Sequence, residues 1–138
     1  MNKILIAEDN PVNRELLREL LESRGYSVTD ASNGQEALRS IEESCPDILL
    51  LDLNMPILDG FATVRKIREN PSLASLPVLA VTAYAMQGDR EKVLDSGFDG
   101  YLSKPIQSRL LFEELDRFLG KLSSQENQAA KQKGAGKA

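Results

Sequence analysis

Short apolar runs alternate with segments of helical periodicity along most of this chain. Residues 4–7, 48–51 and 78–81 contain no polar side chain. Continuous apolar runs of this length are typical of parallel strands that are covered on both faces. Residues 27–31 and 99–103 are predicted strands of more polar composition, and the first of them is typical of an edge strand.

Five amphipathic helices are predicted between and after these strands. The first has Asn10 as its N-cap and Pro11 in its first turn. The fourth, at about residues 88–96, has few apolar residues beyond Val93 and Leu94, so we expect its attachment to the core to be weak. The inward-facing positions predicted for the other helices are, in chain order, Val12, Leu16, Leu17, Leu20, Leu21, Ala37, Leu38, Ile41, Phe61, Val64, Ile67, Leu111, Leu115, Phe118 and Leu122. Five β-α units with right-handed crossovers predict an α/β fold, a doubly wound five-stranded parallel sheet with helices on both faces.

Polar side chains follow four of the predicted strands. Glu8 and Asp9 come after the first strand, Asp52 after the third, Thr82 after the fourth and Lys104 after the fifth. Ligands of such sheets bind beyond the carboxyl ends of the strands, so these side chains should converge on one crevice. The set suits a magnesium ion and a phosphoryl group carried on an aspartate.

The three acids each have a structural explanation as well as a chemical one. Asp52 is the candidate nucleophile that would form an acyl phosphate, although aspartates are also common in turns at strand ends. Glu8 and Asp9 would bind a cation that offsets their mutual repulsion, or would simply face solvent before a helix. The structural explanation is credible for each acid alone and weaker for all three together.

The candidate partners of the phosphoryl group have similar alternatives. Lys104 would neutralise a phosphoryl oxygen, or be an ordinary surface lysine. Because Pro105 follows Lys104, a cis peptide bond between them costs little energy, and such a bond would direct the lysine into the crevice. Thr82 would offer its hydroxyl, or cap a helix. Tyr101 is either a side chain that switches between buried and exposed positions or a strand aromatic packed on the sheet.

Composition narrows the possible functions. The net charge of −4 argues against a nucleic-acid binder, and the apolar runs are too short to cross a membrane. The chain has no histidine, which excludes a Ser-His-Asp triad and an imidazole metal site, so magnesium, calcium or manganese on oxygen ligands are the candidate metals. The lone Cys45 cannot form an internal disulfide, and the first strand begins directly after residue 3, so a cytoplasmic location without a leader is expected.

The chain is predicted to consist of one domain and a tail. Residues 1–122 are expected to form the domain, and residues 123–138 a flexible polar tail or a frayed extension of the last helix.

Four motifs together resemble the receiver domain of bacterial response regulators. They are Glu8-Asp9, Asp52-Leu53-Asn54-Met55-Pro56 with Asp59-Gly60, Thr82-Ala83, and Gly100-Tyr101-Leu102-Ser103-Lys104-Pro105. The resemblance covers residues 3–119. Each motif alone is weak, and their order on alternating strands and helices makes the resemblance strong.

The resemblance implies the flavodoxin-like strand order 2-1-3-4-5 and a specific chemistry. It implies that Asp52 accepts a phosphoryl group from a histidine kinase or a histidine phosphotransfer protein. Asp9 and Asp52 would bind Mg²⁺ directly, or Mn²⁺ in its place, together with the backbone carbonyl of Asn54. Glu8 would act mainly through a metal-bound water.

The resemblance also implies a switch rather than a turnover enzyme. Lys104 and Thr82 would contact the phosphoryl group. Tyr101 would turn inward when Thr82 moves toward the phosphoryl group. The downstream protein target would bind the fourth helix, fifth strand and last helix. We expect a single-domain protein that is a monomer before phosphorylation, with dimerisation afterwards left open, and that serves as a relay intermediate or a diffusible output protein.

Three other functions fit the sequence less well. A phosphohydrolase with an aspartyl-phosphate intermediate typically has an acid where this chain has Asn54. A flavodoxin-like cofactor binder needs a glycine-rich phosphate loop where Glu8 and Asp9 stand. A receiver used only for binding would not need the complete set of acids, threonine and lysine. Tyr84, beside the site, is expected to restrict attacking water and lengthen the life of the aspartyl phosphate.

Overall fold

Strands and helices alternate throughout the described chain, as the sequence pattern predicts. The computed structural model describes residues 2–83 and 89–120. The elements are β1 (Lys3–Ala7), α1 (Pro11–Glu22), β2 (Ser27–Ala31), α2 (Gly34–Glu43), β3 (Ile48–Asp52), α3 (Gly60–Glu69), a 3-10 helix (Pro71–Leu73), β4 (Val78–Thr82), α4 (Asp89–Asp95), β5 (Gly100–Ser103) and α5 (Ser108–Leu119). Tyr84, Gly88 and Leu122, to which predictions were attached, and the predicted tail lie outside the described residues.

The strands form one parallel sheet in the order β2-β1-β3-β4-β5, which confirms the predicted fold class. β1 lies between β2 and β3 and pairs with both, for example Ile4 with Val28 and with Ile48. The chain separates into two compact units with the boundary between Ile106 and Gln107. The sheet and α1 to α4 belong to the first unit, and α5 belongs to the second.

The core of the first unit consists of apolar side chains on the central strands. Every residue of β3 and β4 is buried, whereas β2 buries only two of its residues, as expected of an edge strand. One face of the sheet packs against α2, α3 and α4 through residues such as Ala37, Val64 and Val93. Val93 is buried and Leu94 is exposed, in agreement with the weak attachment predicted for α4.

The predicted apolar stripe of α1 is wrong in part. Leu17 and Leu21 are buried, but Val12 is 64% exposed and Leu16 is 60% exposed. Leu16 is displaced by about 100° around the helix from Leu17, so Val12 and Leu16 form a separate strip beside the buried one. The predicted N-cap is confirmed, because the Asn10 side chain accepts hydrogen bonds from the backbone N–H groups of Val12 and Asn13.

One arginine ties together the segments at the amino end of the sheet. Arg68 donates from Nε to the carbonyl of Gly97 (2.9 Å), from one terminal nitrogen to the carbonyl of Leu76 (2.9 Å), and from the other to the Asp99 carboxylate (2.8 Å). Asp99 also accepts the N–H of Val78 at 2.8 Å, and β5 begins at residue 100 rather than 99. Gly97 has a φ of 115°, a left-handed conformation that suits glycine.

Among residues 2–83 and 89–120, no helix has the length and apolar character needed to span a bilayer.

Candidate functional site

Three carboxylates meet at the carboxyl ends of β1 and β3. One oxygen from each of Glu8, Asp9 and Asp52 can be chosen so that all three lie within 4.8 Å of one another. Glu8 is 2% exposed and Asp52 is 4% exposed, while Asp9 is open to solvent. The structure therefore brings the three predicted acids together at the predicted edge of the sheet.

Lys104 lies against the two buried acids. Its Nζ is 2.8 Å from Asp52 Oδ2 and 2.9 Å from Glu8 Oε1. The backbone N–H of Lys104 donates to the carbonyl of Thr82 at 2.8 Å, so the end of β4 positions this lysine. The peptide bond from Lys104 to Pro105 is cis.

For each of Glu8 and Lys104, burial and the contact with the other residue shift the pKa in opposite directions. Burial raises the pKa of Glu8, and the hydrogen bond from Lys104 only partly offsets that effect. Burial lowers the pKa of Lys104, but the hydrogen bonds and charges of Asp52 and Glu8 outweigh it, so the pKa of this lysine is raised. Lys104 is therefore a cation at neutral pH and balances one of the three carboxylates.

The remaining negative charge gives the site its chemical character. Three carboxylates and one ammonium leave an excess of two negative charges in a small, half-buried space. Oxygen ligands with this excess fit a divalent cation such as Mg²⁺, which prefers a few carboxylates and completes its shell with water or phosphate oxygens. The residues present thus fit a metal of the predicted kind.

The backbone around Asp52 fixes its carboxylate. The backbone N–H of Asn54 donates to Asp52 Oδ1 at 3.0 Å, while Lys104 holds Oδ2. Gly60 packs directly behind this residue, since a Cβ at Gly60 would lie 2.6 Å from the Asp52 carbonyl oxygen. This close packing of Gly60 against Asp52 was not predicted. Its only signal in the sequence is a glycine at the position where a helix begins.

The loop between β3 and α3 contains a strained residue. Ile57 has a φ of 70° and is 76% exposed. A β-branched residue is strongly disfavoured in this left-handed region. The strain lies between Asp52 and the N-cap of α3, Asp59, in the segment that borders the acids.

Thr82 and Tyr101 occupy neighbouring strands. Thr82 is completely buried as the last residue of β4, not just after the strand as predicted. Tyr101 lies in β5, paired in register with Ala80, and is a partly buried residue packed against the core. The structure places Thr82 beside the backbone of Lys104.

Arg14 is a residue of this site that the sequence analysis missed. Its guanidinium donates to the carbonyl of Glu8 at 2.8 Å and to that of Asp9 at 3.4 Å. A sequence pattern gives little sign of this role, because an arginine in a helix is usually a solvated surface residue.

An apolar groove opens beside the buried acids. Its volume is about 480 Å³. Glu8 and Lys104 contribute polar atoms to its wall, and most of the remaining wall is apolar. The other lining residues are Asn13, Leu16, Leu17, Leu20, Ala83, Pro105 and Ile106.

Comparisons with known proteins agree with this geometry. The family described as "Response regulator receiver domain" matches residues 4–116. The polar-differentiation response regulator DivK of Brucella anthropi is 38% identical over 117 residues, which are 85% of this chain and 95% of that protein. The receiver domain of the sensor histidine kinase PA1611 of Pseudomonas aeruginosa, solved with a magnesium ion coordinated in its active-site cleft, has a TM-score of 0.80 at 41% identity, covering 87% of this chain and 98% of that one.

The relatives differ greatly in size. Hybrid signal transduction histidine kinase I of Dictyostelium discoideum is 43% identical over 122 residues, which are 83% of this chain but 7% of that protein. The same domain therefore occurs in a large kinase and in a protein scarcely longer than itself.

Proposed function

We propose that this chain, which belongs to the response regulator receiver domain family, accepts a phosphoryl group on Asp52 and switches its protein-binding surface in response. The observation that carries the proposal is the placement of Asp52. Its carboxylate is buried within 4.8 Å of two other acids and is held by Lys104 at 2.8 Å. Phosphoryl transfer depends on positioning and on neutralised charge, and this arrangement provides both.

Asp9 and Asp52 would hold a magnesium ion, with the backbone carbonyl of Asn54 as a further ligand and Glu8 acting through a bound water. When bound, the ion supplies neutralising charge for the phosphoryl oxygens. Lys104 adds a second positive charge, 2.8 Å from Asp52 Oδ2. The excess negative charge of the three carboxylates supports this assignment.

The transfer itself requires one bond to form and one to break. A carboxylate oxygen of Asp52 attacks the phosphorus of a phosphohistidine, and a phosphorus–oxygen bond replaces the phosphorus–nitrogen bond. The electron pair of the broken bond stays on the partner's imidazole ring, which takes up a proton. The phosphohistidine must lie outside these 138 residues, because they contain no histidine.

The groove beside the acids suits the approach of such a donor. Leu16 and Leu17 form part of its apolar wall, and Glu8 and Lys104 mark its polar end. A histidine kinase or a histidine phosphotransfer protein that covers this wall would exclude water while its phosphohistidine reaches Asp52.

The new phosphoryl oxygens would then attract Thr82 and Lys104. Movement of Thr82 at the end of β4 would leave space that Tyr101 can fill from the neighbouring strand β5. α4 would shift with little cost because Val93 is its buried apolar anchor among residues 90–95. Phosphorylation would thus bias an existing equilibrium of the α4 and β5 surface, which a downstream protein recognises.

Intact mass spectrometry tests the proposal. The protein is incubated with Mg²⁺ and acetyl phosphate, and a gain of one phosphoryl group is expected. Asp52→Asn should show no gain, and chelation of the metal should prevent it. Asp59→Asn is the matched control, since it changes an exposed acid on the same loop and retains a good N-cap for α3.

The outcomes separate the candidate functions. A gain that persists in Asp52→Asn, or that is lost equally in Asp59→Asn, would contradict the assignment of Asp52. Continuous hydrolysis of acetyl phosphate without accumulation of the phosphorylated form would favour a phosphohydrolase.

A further inference from the structure

The turn that carries Glu8 and Asp9 is held from two directions. The backbone N–H of Glu8 donates to the carbonyl of Ala31 at 3.0 Å, and Asn10 binds the Glu8 carboxylate through its own N–H at 3.1 Å. Neither contact holds the carbonyl groups of Glu8 and Asp9. Both carbonyls accept hydrogen bonds from the guanidinium of Arg14, at 2.8 and 3.4 Å.

A second arginine on α1 shows what is specific about Arg14. Arg18 lies one turn further along and also faces β2, where it binds Asp30 at 2.8 Å and the carbonyl of Val28 at 3.0 Å. Arg14 Nε is 4.0 Å from the same Asp30 carboxylate. Both arginines therefore attach α1 to the edge strand, but the contacts of Arg14 extend to the turn that carries the acids.

We infer that Arg14 is a positioning residue for cation binding, an inference that rests on the proposed function. By fixing the peptide groups of Glu8 and Asp9, Arg14 keeps their carboxylates converged with that of Asp52. Residues that orient metal ligands in this way commonly change metal affinity about 10–100-fold when they are removed.

The sign of the effect distinguishes positioning from charge. A guanidinium close to a cation site repels the cation, so loss of its charge alone would tighten Mg²⁺ binding. Loss of positioning would weaken binding. Arg14→Met keeps most of the side-chain length and removes both the charge and the donors, so it tests the two effects against each other.

The experiment is an amide NMR titration with Mg²⁺ on the full chain. We expect Arg14→Met to raise the Kd for Mg²⁺ roughly tenfold and Arg18→Met to change it less than about twofold. Arg14→Lys keeps the charge and can donate to one of the two carbonyls, so its Kd should fall between those of the wild type and Arg14→Met. It also serves as the test variant if Arg14→Met does not fold.

A second measurement separates positioning of the metal ligands from a purely structural role of Arg14, because a structural defect would not be repaired by excess Mg²⁺. At saturating Mg²⁺, the rate of Asp52 phosphorylation by acetyl phosphate should return close to the wild-type rate in Arg14→Met. An unchanged or lower Kd in Arg14→Met, or equal losses in Arg14→Met and Arg18→Met, would overturn the inference. A wild-type protein that binds no Mg²⁺ and gains no phosphoryl group would instead overturn the proposed function, and this inference with it.

Discussion

The two ends of the sheet balance their charges in different ways. At the amino end, Arg68 faces one carboxylate, Asp99, and its other donors are used by backbone carbonyls. At the carboxyl end, Lys104 faces an excess of carboxylates from Glu8, Asp9 and Asp52. Arg68 and Asp99 are matched one to one, whereas the three acids at the carboxyl end outnumber the ammonium of Lys104.

The backbone shows the same difference. Two left-handed positions at the amino end are occupied by glycines, Gly25 and Gly97, which adopt them without strain, and the one near the acids is occupied by Ile57. Unfavourable charge and backbone strain are therefore both concentrated at the end where ligands of parallel sheets bind. The difference predicts that the amino end contributes to stability and that, under the proposed function, the carboxyl end is less stable because it is shaped for binding.

The largest effect is expected from Lys104→Met. Under the proposed function, loss of the ammonium removes a positive charge from beside the Asp52 carboxylate, so the rate of Asp52 phosphorylation should fall about 100-fold or more. Mass spectrometry over time after addition of acetyl phosphate measures the rate. Lys66→Met removes the same charge from the exposed surface of α3 and should leave the rate unchanged. A near wild-type rate in Lys104→Met would contradict the role given to this lysine.

Arg68→Met should lower the free energy of unfolding and leave the rate of Asp52 phosphorylation unchanged. It leaves the Gly97 and Leu76 carbonyls and the Asp99 carboxylate without their shared donor, which should lower the free energy of unfolding by about 2–4 kcal/mol. Urea denaturation measures the loss. Arg109→Met, which breaks an exposed pair with Glu113, is the control and should cost no more than about 0.5 kcal/mol. Equal costs in the two variants would remove the distinction between the ends of the sheet.

Magnesium should stabilise the wild type through the carboxyl end alone. At 100 times its Kd, the ion should add about 2.7 kcal/mol to the free energy of unfolding and raise Tm, because it binds the folded state. Thermal unfolding with Mg²⁺ or with a chelator measures the shift. Asp9→Asn should abolish it, and Asp95→Asn, an exposed acid at the end of α4, should retain it. A shift of the same size in both variants would point to nonspecific ion binding.

The smallest effect is expected from relief of strain. Ile57→Asn replaces a β-branched residue with one that tolerates the left-handed region, and should raise the free energy of unfolding by about 1 kcal/mol. Little burial is lost because Ile57 is largely exposed. Val12→Asn, at an exposed position of ordinary helical conformation, should give no gain. A loss of stability in Ile57→Asn would show that this side chain has a packing role.

The strands could be predicted because burial on both faces leaves an unambiguous pattern. The continuous apolar runs of β3 and β4 leave little choice of element, and acids placed directly after such runs must lie at the carboxyl edge. The exposure of Val12 and Leu16 could not be predicted in this way. Helical periodicity shows that apolar residues share a side of α1, but which strip meets the sheet depends on how the helix is rotated.

Arg14, Gly60 and Arg68 were missed for a common reason. Two of them donate to backbone carbonyls, and the third provides space for a backbone carbonyl. Carbonyl groups carry no sequence signature, so the partners of these residues exist only once the loops have been placed. Glu8, Asp52 and Lys104, which were recognised in the sequence, contact one another through their side chains.

The strand order also sets when the acid cluster receives its lysine during synthesis. β1 and β3 pair directly, and β2 adds to the free side of β1, so the acids can be brought together by the first 52 residues. Lys104 follows β5, which joins the sheet only after β4 has been added. A chain emerging from the ribosome presents its three acids before the ammonium, because Glu8, Asp9 and Asp52 are synthesised before Lys104. Under the proposed function, a kinase meeting an unfinished molecule would find no competent acceptor, and signalling would begin only with chains whose last strand is in place.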